Sequence, residues 1–187
     1  FKVAWYGIII TVGIVLAVLY TIKRGKQEGF TTDDVLDYAI WVVLVGILGA
    51  RLYYVAMTWG RYESFLDIFA IWNGGLAIYG GLIGGALMIM YISYKKQKSV
   101  LKFFDMVTPG VMIAQALGRW GNFFNQEAHG GVTDLPWGMT GNLIAYEFED
   151  SLVHPTFLYE SLWCFAAFAI LMILRGLQRH NGQLQTL

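Results

Sequence analysis

Residues 3–22 read VAWYGIIITVGIVLAVLYTI, a stretch that contains no charged side chain. An α-helix needs about 20 predominantly apolar residues to cross the hydrocarbon core of a bilayer, and this stretch meets that requirement. Basic residues follow it at Lys23 and Arg24, whereas a cleaved signal peptide carries its positive charges ahead of its apolar region. The stretch therefore predicts a transmembrane helix that is retained near the N-terminus.

Four further apolar stretches follow along the chain. The predicted spans are 3–22, 39–59, 76–94, 103–124 and 157–174. The composition agrees with this interpretation, because 57% of the residues are hydrophobic and only 14% are charged, whereas charged residues make up about a quarter of an ordinary soluble domain. We therefore expect a single all-α, polytopic integral membrane domain over residues 1–187, with five transmembrane helices.

The distribution of basic residues predicts how these helices are oriented. Short loops rich in lysine and arginine remain in the cytoplasm. The loops after the first, third and fifth spans are basic, while the polar segment 126–154 contains aspartate and glutamate but no lysine or arginine. We therefore expect the N-terminus and segment 126–154 to lie outside the cytoplasm.

Composition also argues against several classes of function. The formal net charge is zero, so the chain has no basic stripe with which to bind nucleic acid. Cys164 is the single cysteine, which excludes an internal disulfide and a thiolate zinc site. It lies in an apolar run, where a small buried hydrophobic role is expected. The carboxylates and histidines show no metal-ligand spacing, and we expect no metal or other cofactor.

The strongest candidate for a site is the motif GRWGNFFNQEAHG at residues 118–130, where polar groups end an apolar run. Polar groups at membrane depth are costly and usually functional. Arg119 and Asn122 are three residues apart and would share one face of a helix, so they could offer a cation and an amide to one anionic ligand. The structural alternative is an arginine that pairs with a carboxylate such as Asp105 or Glu160.

Two features inside the predicted second and third spans need a separate explanation. IYGGLIGGAL in the third span contains small-xxx-small pairs at Gly80/Gly84 and Gly81/Gly85, which favour close helix packing over ligand contact. Tyr79 precedes these glycines and could be an interfacial anchor. Arg51 lies deep in the second span, and we expect it to have a carboxylate or phosphate partner.

The motif at 118–130 resembles the signature of the prolipoprotein diacylglyceryl transferase family. Further landmarks occur in the order of that family: WYG at 5–7, GARLYYV at 49–55, YGGLIGG at 79–85 and HPTFLYES at 154–161. The resemblance implies a multi-pass enzyme of the bacterial plasma membrane. It also implies transfer of a diacylglyceryl group from phosphatidylglycerol to the lipobox cysteine of a preprolipoprotein, with formation of a thioether and release of glycerol phosphate.

The family fold has seven spans, so the resemblance implies that this chain is a fragment lacking the last two, which carry a second phosphate-contacting arginine. We expect the active site to face the outer leaflet and the protein to be a monomer. The resemblance assigns catalysis to Arg119, Tyr79 and Glu127. The residues expected to bind substrate are Arg119, Asn122, Asn125, Gly130, Tyr6 and Arg51.

The identity of the general base stays open at this stage. Tyr79 stands where many family members carry a histidine, and an unperturbed phenol, with a pKa of about 10, is a poor base. Glu127, His129 and His154 are the other candidates, although either histidine could instead be an ordinary loop residue. Two alternative functions also remain. One is an anion channel or transporter lined by arginines, although the lack of internal repeats argues against it. The other is a noncatalytic lipid-binding subunit.

Overall fold

The protein was studied as a computed structural model, which describes residues 5–61, 65–70, 74–149, 151–177, 181 and 183. The described residues form six α-helices joined by short 3₁₀ turns. The helices are α1 (Trp5–Gly25), α2 (Thr32–Met57), α3 (Ile78–Lys96), α4 (Val100–Asn125), α5 (Asn142–Phe148) and α6 (Thr156–Leu174). The 3₁₀ turns are Trp59–Arg61, Phe65–Phe69 and Arg175–Leu177. Only isolated β-bridges, and no strands, occur within these ranges.

Four of the described helices are long and apolar enough to cross a membrane: α1, α2, α4, and α6 together with the 3₁₀ turn that follows it. The prediction of an all-α polytopic membrane protein is therefore confirmed. The prediction of five spans is not, because α3 is a helix of 19 residues but falls outside this group. Its four glycines and three tyrosines reduce its apolar character.

The chain divides into two compact units. The first comprises Phe1–Arg24 and Phe104–Leu187, and so contains α1, most of α4, α5 and α6. The second comprises Gly25–Phe103, and contains α2, α3 and the beginning of α4.

In the second unit, α2 begins in polar residues ahead of the predicted apolar span. Thr31 is its N-cap: the Thr31 side chain accepts a hydrogen bond from the Asp34 main chain at 3.0 Å, and the Asp34 carboxylate accepts one from the Thr31 main chain at 3.0 Å. This reciprocal capping box satisfies N–H groups that a helix start leaves without partners. The helix therefore starts at Thr32, before the apolar run that begins at Ala39.

Helices α2 and α3 approach each other closely through glycines. A Cβ added to Gly49 would lie 2.5 Å from the carbonyl oxygen of Gly80, and one added to Gly84 would lie 2.8 Å from the carbonyl oxygen of Val45. Such distances are below van der Waals contact, so neither position can accept a larger residue without movement of the main chain. The predicted packing role of the Gly80/Gly84 pair is confirmed.

The same pair of helices is joined by polar contacts at the end where α3 finishes. Lys96 forms ion pairs with Asp34 at 2.8 Å and Asp37 at 2.7 Å. The buried Tyr38 hydroxyl is hydrogen-bonded to Ser93 Oγ at 2.7 Å, and its ring stacks on Phe103 with 3.8 Å between ring centroids. These contacts connect α2, α3 and the start of α4 within the second unit.

Arg51 is buried in α2, with 7% of its surface exposed. Its guanidinium donates hydrogen bonds to four main-chain carbonyl oxygens, which belong to Asp67, Ile68, Gly74 and Gly75, at 2.7, 2.7, 2.7 and 3.0 Å respectively. A carboxylate or phosphate partner was predicted for Arg51, but these described partners are carbonyl groups of the connection between α2 and α3. Through these hydrogen bonds, Arg51 stabilises the conformation of that connection.

In the first unit, small residues also bring helices together. A Cβ on Gly13 would lie 3.2 Å from Ala114 Cα, and one on Gly110 would lie 3.1 Å from the Ala17 carbonyl oxygen, so α1 and α4 pack closely. Pro109 lies inside α4 without ending it. The position of α6 against α4 is fixed by Ser161, which donates to the Ala116 carbonyl at 2.9 Å and accepts from Trp120 Nε1 at 3.2 Å.

The polar segment 126–154 folds into a small cap with its own core. Val153 forms isolated bridges with Val132 and Met139, and the short helix α5 supplies Ile144. Met139, Ile144, Val153 and Phe157 form one hydrophobic cluster, in which Ile144 and Val153 are fully buried. The sequence analysis identified this segment only by its charge and assigned it no internal structure.

Candidate functional site

The motif at 118–130 begins on α4 and turns sharply where that helix ends. Gln126 adopts a left-handed conformation, with φ of 53°. The main-chain N–H of Glu127 donates to the Asn122 carbonyl at 3.0 Å, and that of Gln126 donates to the Phe123 carbonyl at 3.1 Å. These two bonds define a Schellman C-cap. The turn reverses the chain and returns Glu127 to the last turn of α4.

The reversal places three polar side chains of the motif in one cluster. Asn122 Nδ2 and Asn125 Nδ2 both donate to the same carboxylate oxygen of Glu127, Oε1, at 3.1 and 3.2 Å. Asn125 and Glu127 are exposed, and Asn122 is half-buried. The carboxylate therefore fixes the orientation of both amides, while its second oxygen makes no hydrogen bond to a described residue.

Arg119 lies one turn earlier on α4 and forms an ion pair from its Nη2 atom to Glu160 Oε2 of α6. Of the two carboxylates predicted as structural partners, Glu160 is thus the one that binds it. The side chains are 32% and 47% exposed, so the pair is accessible and not enclosed in a core.

Tyr6 of α1 lies against the same part of α4. A Cβ on Gly121 would come within 2.5 Å of Tyr6 Cδ2 and 2.9 Å of Cε2, so the absence of a side chain at Gly121 is what admits the ring. Trp5 stacks on Phe124, with 5.7 Å between ring centroids. The Tyr6 hydroxyl makes no hydrogen bond to a described residue. Tyr6 therefore contacts α4 at Gly121, inside the motif, and its role in substrate binding stays a prediction.

Gly130 closes the motif where the chain meets the segment that leads into α6. Its N–H donates to the His154 carbonyl at 2.9 Å, and an added Cβ would lie 2.8 Å from His154 Cβ. Nearby, the Thr156 hydroxyl donates to the Ala128 carbonyl. A glycine is needed here to allow this close approach, which joins the end of the motif to the start of α6.

Both histidines considered as bases have partners, His129 within the cap and His154 on α6. His129 Nε2 lies 3.7 Å from Glu147 Oε2, and its ring contacts Phe148 edge-on. His154 Nδ1 lies 3.2 Å from the Tyr159 hydroxyl. These contacts agree with the structural interpretation of each histidine. Throughout the described ranges, no three histidine, cysteine, aspartate or glutamate side chains are grouped so as to hold a metal ion.

The first unit thus contains six of the predicted site residues: Tyr6, Arg119, Asn122, Asn125, Glu127 and Gly130. Arg51 and Tyr79 belong to the second unit. Tyr79 lies in the first turn of α3, is 66% exposed, and has its ring centroid 6.4 Å from that of Tyr53. Its assignment to catalysis, and that of Arg51 to substrate binding, stay predictions.

Gln126 makes a contact that the sequence did not predict. Its side-chain Oε1 accepts a hydrogen bond from the main-chain N–H of Leu143 at 2.8 Å, which caps the start of α5, where Gly141 has no side chain of its own to do so. A glutamine directly after a predicted helix end is a weak signal, because the bond depends on a partner far along the chain.

The fold and this site define a multi-pass helical membrane protein with an arginine, two amides and a carboxylate at the end of one long apolar helix. The chain belongs to the prolipoprotein diacylglyceryl transferase family, whose model matches residues 1–187.

Several curated relatives agree with this assignment, and each is named phosphatidylglycerol–prolipoprotein diacylglyceryl transferase. The chain is 45% identical over 182 residues to that of Clostridioides difficile (strain 630), a match that covers 97% of this chain and 71% of the relative. It is 44% identical to that of Streptococcus suis (strain 05ZYH33), with 93% and 66% covered. For Streptococcus pneumoniae (strain Hungary19A-6) the identity is 47%, with 92% and 67% covered. The chain therefore spans about two thirds of the length of these relatives.

Proposed function

We propose that this protein transfers the diacylglyceryl group of phosphatidylglycerol to the lipobox cysteine of a preprolipoprotein. Family membership and the names of the relatives support this proposal. The structural observation that carries it is that Arg119 lies one turn before the cluster of Asn122, Asn125 and Glu127 on α4. A cation and oriented amides in such a place suit a phosphate-bearing lipid headgroup.

The reaction is a displacement at carbon. The cysteine sulfur of the protein substrate attacks the glyceryl carbon that carries the phosphate ester; a C–S bond forms and the C–O bond to phosphate breaks. The thiol proton passes to a base, because only the thiolate is a good nucleophile, and glycerol phosphate leaves with the bonding electron pair. The products are a diacylglyceryl thioether on the protein and free glycerol phosphate.

Arg119 stabilises the departing phosphate. Its ion pair with Glu160 runs from Nη2, and Nε and Nη1 make no hydrogen bond to a described residue. A guanidinium presents its donors in a planar fork that matches phosphate oxygens. Charge that develops on the leaving oxygen is stabilised by donors already in position. At 1.5 Å per residue, Arg119 lies about 9 Å along the helix axis from Asn125.

Glu127 holds Asn122 and Asn125 in the orientation that the lipid meets. Each amide gives one N–H to the carboxylate and keeps a second N–H and a carbonyl oxygen for the lipid. For the thiol proton, the family resemblance offers Tyr79 and the cluster offers the second carboxylate oxygen of Glu127. The contacts of His129 with Glu147 and of His154 with Tyr159 favour neither histidine as the base.

In the membrane, we propose that α3 is a fifth crossing, that the N-terminus is outside and that α4 ends at the outer leaflet of the bacterial plasma membrane. Basic residues end α1 and α3, at Lys23, Arg24, Lys95 and Lys96, which fits a cytoplasmic position for those ends. By resemblance to the family, the whole protein has seven spans and acts as a monomer.

The test is to reconstitute the full-length protein in vesicles that contain phosphatidylglycerol and to add a lipobox peptide. We expect mass spectrometry to detect the peptide with a thioether-linked diacylglyceryl group, and no product when the peptide cysteine is replaced by serine. Vesicles of phosphatidylethanolamine alone provide the lipid control. Anion flux through the same vesicles without thioether product would overturn the proposal in favour of a channel or transporter.

The channel alternative gains no support from Arg51. That side chain is buried and donates to main-chain carbonyls, an arrangement that suits support of the α2–α3 connection more than the lining of an aqueous path.

A further inference from the structure

Glu160 is the carboxylate that binds Arg119, and hydrogen bonds of the neighbouring residues on α6 fix its position. Its neighbour Ser161 is bonded to both Ala116 and Trp120 of α4. Its other neighbour, Tyr159, accepts a hydrogen bond from Trp137 Nε1 at 2.9 Å. The main chain on both sides of Glu160 is therefore fixed, and its carboxylate faces α4.

The contact that results occupies the arginine only in part. The ion pair runs from Nη2 to Oε2, and Nε and Nη1 donate no hydrogen bond to a described residue, although a guanidinium can form two parallel bonds to one carboxylate. With the Glu160 side chain 47% exposed, water or a ligand can reach it. An incoming phosphate would therefore approach a cation that already has a negative neighbour.

From this arrangement we infer that Glu160 competes with phosphate for Arg119 and thereby limits how tightly the glycerol phosphate product is retained. The inference rests on the function proposed above, and it assigns to Glu160 a positioning role that acts through Arg119. It predicts that removing the Glu160 charge strengthens phosphate binding.

The charges of substrate and product explain why such competition is useful. The phosphate of phosphatidylglycerol is a diester with one negative charge. A phosphate monoester carries about −1.5 to −2 at pH 7, because its second pKa is about 6. Repulsion from the Glu160 carboxylate scales with the charge that it faces. It therefore opposes the product more strongly than the substrate and favours release after each transfer.

The direct test measures binding without catalysis. The full-length protein, in vesicles of phosphatidylcholine that contain no substrate lipid, is titrated with glycerol 1-phosphate. We expect Glu160→Gln to lower the dissociation constant about tenfold, a change between those that a unit charge about 4 Å away produces in bulk water and near a protein surface. Glu160→Asp keeps the charge and should bind like the wild type. Glu149→Gln, which removes an exposed carboxylate elsewhere in the first unit, is the matched control and should change nothing.

A second measurement, of transfer from phosphatidylglycerol vesicles, separates this inference from the proposed function. In Glu160→Gln we expect glycerol 1-phosphate to inhibit at about tenfold lower concentration and kcat to fall more than KM does. Unchanged or weaker phosphate binding in Glu160→Gln overturns the inference even if transfer proceeds. Tighter binding in Glu160→Asp would also overturn it. Absence of thioether product in the wild type would instead refute the proposed function, while the binding titration would still decide the role of Glu160.

Discussion

The aromatic ring of Tyr6 lies directly against Gly121, so that a Cβ at this glycine would come within 2.5 Å of Tyr6 Cδ2. The contact joins the first helix to the motif of α4, between Arg119 and Asn122. It gives a physical reason for a glycine inside a helix, where glycine costs about 1 kcal/mol relative to alanine.

We expect Gly121→Ala to reduce diacylglyceryl transfer about tenfold, because the added methyl group displaces the Tyr6 ring. Gly118→Ala is the matched control, since a Cβ on Gly118 meets nothing within 4 Å. Single-turnover transfer measures both variants. In a Tyr6→Ala background the added effect of Gly121→Ala should disappear, as coupling between contacting residues requires. Equal losses in the two glycine variants would contradict the role given to Tyr6.

Arg119→Lys should lower transfer by about 10²-fold or more, the size of loss seen when a donor to developing negative charge is removed. Lysine keeps the charge, but an ammonium cannot present two parallel N–H bonds to a phosphate. The matched control is Arg175→Lys, at the other end of α6, where Arg175 contacts the Tyr20 hydroxyl at 3.5 Å. Retention of most activity in Arg119→Lys would mean that the residue acts only as a general cation.

Tyr79→Phe tests whether Tyr79 is the general base that takes the thiol proton. Loss of a general base should cost about 10²-fold or more in single-turnover rate, whereas loss of one neutral hydrogen bond of about 1.5 kcal/mol should cost about tenfold. We expect the smaller loss. Tyr53→Phe, whose ring neighbours that of Tyr79, is the matched control. A large loss, together with disappearance of the alkaline rise in rate, would show that Tyr79 takes the thiol proton.

The sequence predicted which site residues share a face of α4, but it did not predict the turn that brings Glu127 back to that helix. Arg119 and Asn122 were placed on one helix face by counting residues, and Glu160 was named as a possible partner for Arg119. The return of Glu127 onto Asn122 and Asn125 was not predicted, because it depends on a left-handed turn at Gln126. Glycine is the usual residue in such a turn, so a glutamine gives no local signal.

The long helices were predicted because an apolar run of the right length is a signal that needs no tertiary information. The predicted span 39–59 stays a prediction, but the polar start of α2 at Thr32 was not predicted, since a hydropathy pattern does not register the capping box of Thr31 and Asp34. The cap over residues 126–154 was not predicted at all. Its core joins Met139, Ile144 and Val153 with Phe157 of α6, and those residues contact one another only when the chain is folded.

Gln126 offers a test of that turn. Both Gln126→Ala and Gln126→Gly remove the bond to the Leu143 N–H, so both should destabilise the folded segment 126–154. Alanine also pays the cost of a left-handed conformation, about 1–2 kcal/mol, which glycine avoids. We therefore expect Gln126→Gly to be the more stable variant by about 1 kcal/mol in thermal or denaturant unfolding. The reverse order of stability would contradict the C-cap described here.

The orientation in the membrane can be tested with single cysteines in a Cys164→Ala background. Asp134→Cys should react with a thiol reagent that cannot cross the bilayer when the reagent is added to the outside of intact cells. Lys95→Cys should react only after the membrane is opened, because basic loops stay in the cytoplasm. Lys95 suits this purpose better than Lys96, which pairs with Asp34 and Asp37.

The outcome bears on the mechanism as well as the topology. An external Asp134 would put the end of α4 beside the outer leaflet, where a secreted lipobox cysteine could meet phosphatidylglycerol without crossing the membrane again. Reaction of Asp134→Cys from the cytoplasmic side alone would invert the orientation. The site would then face the compartment that the secreted cysteine has already left, and the proposed transfer to preprolipoproteins would have to be abandoned.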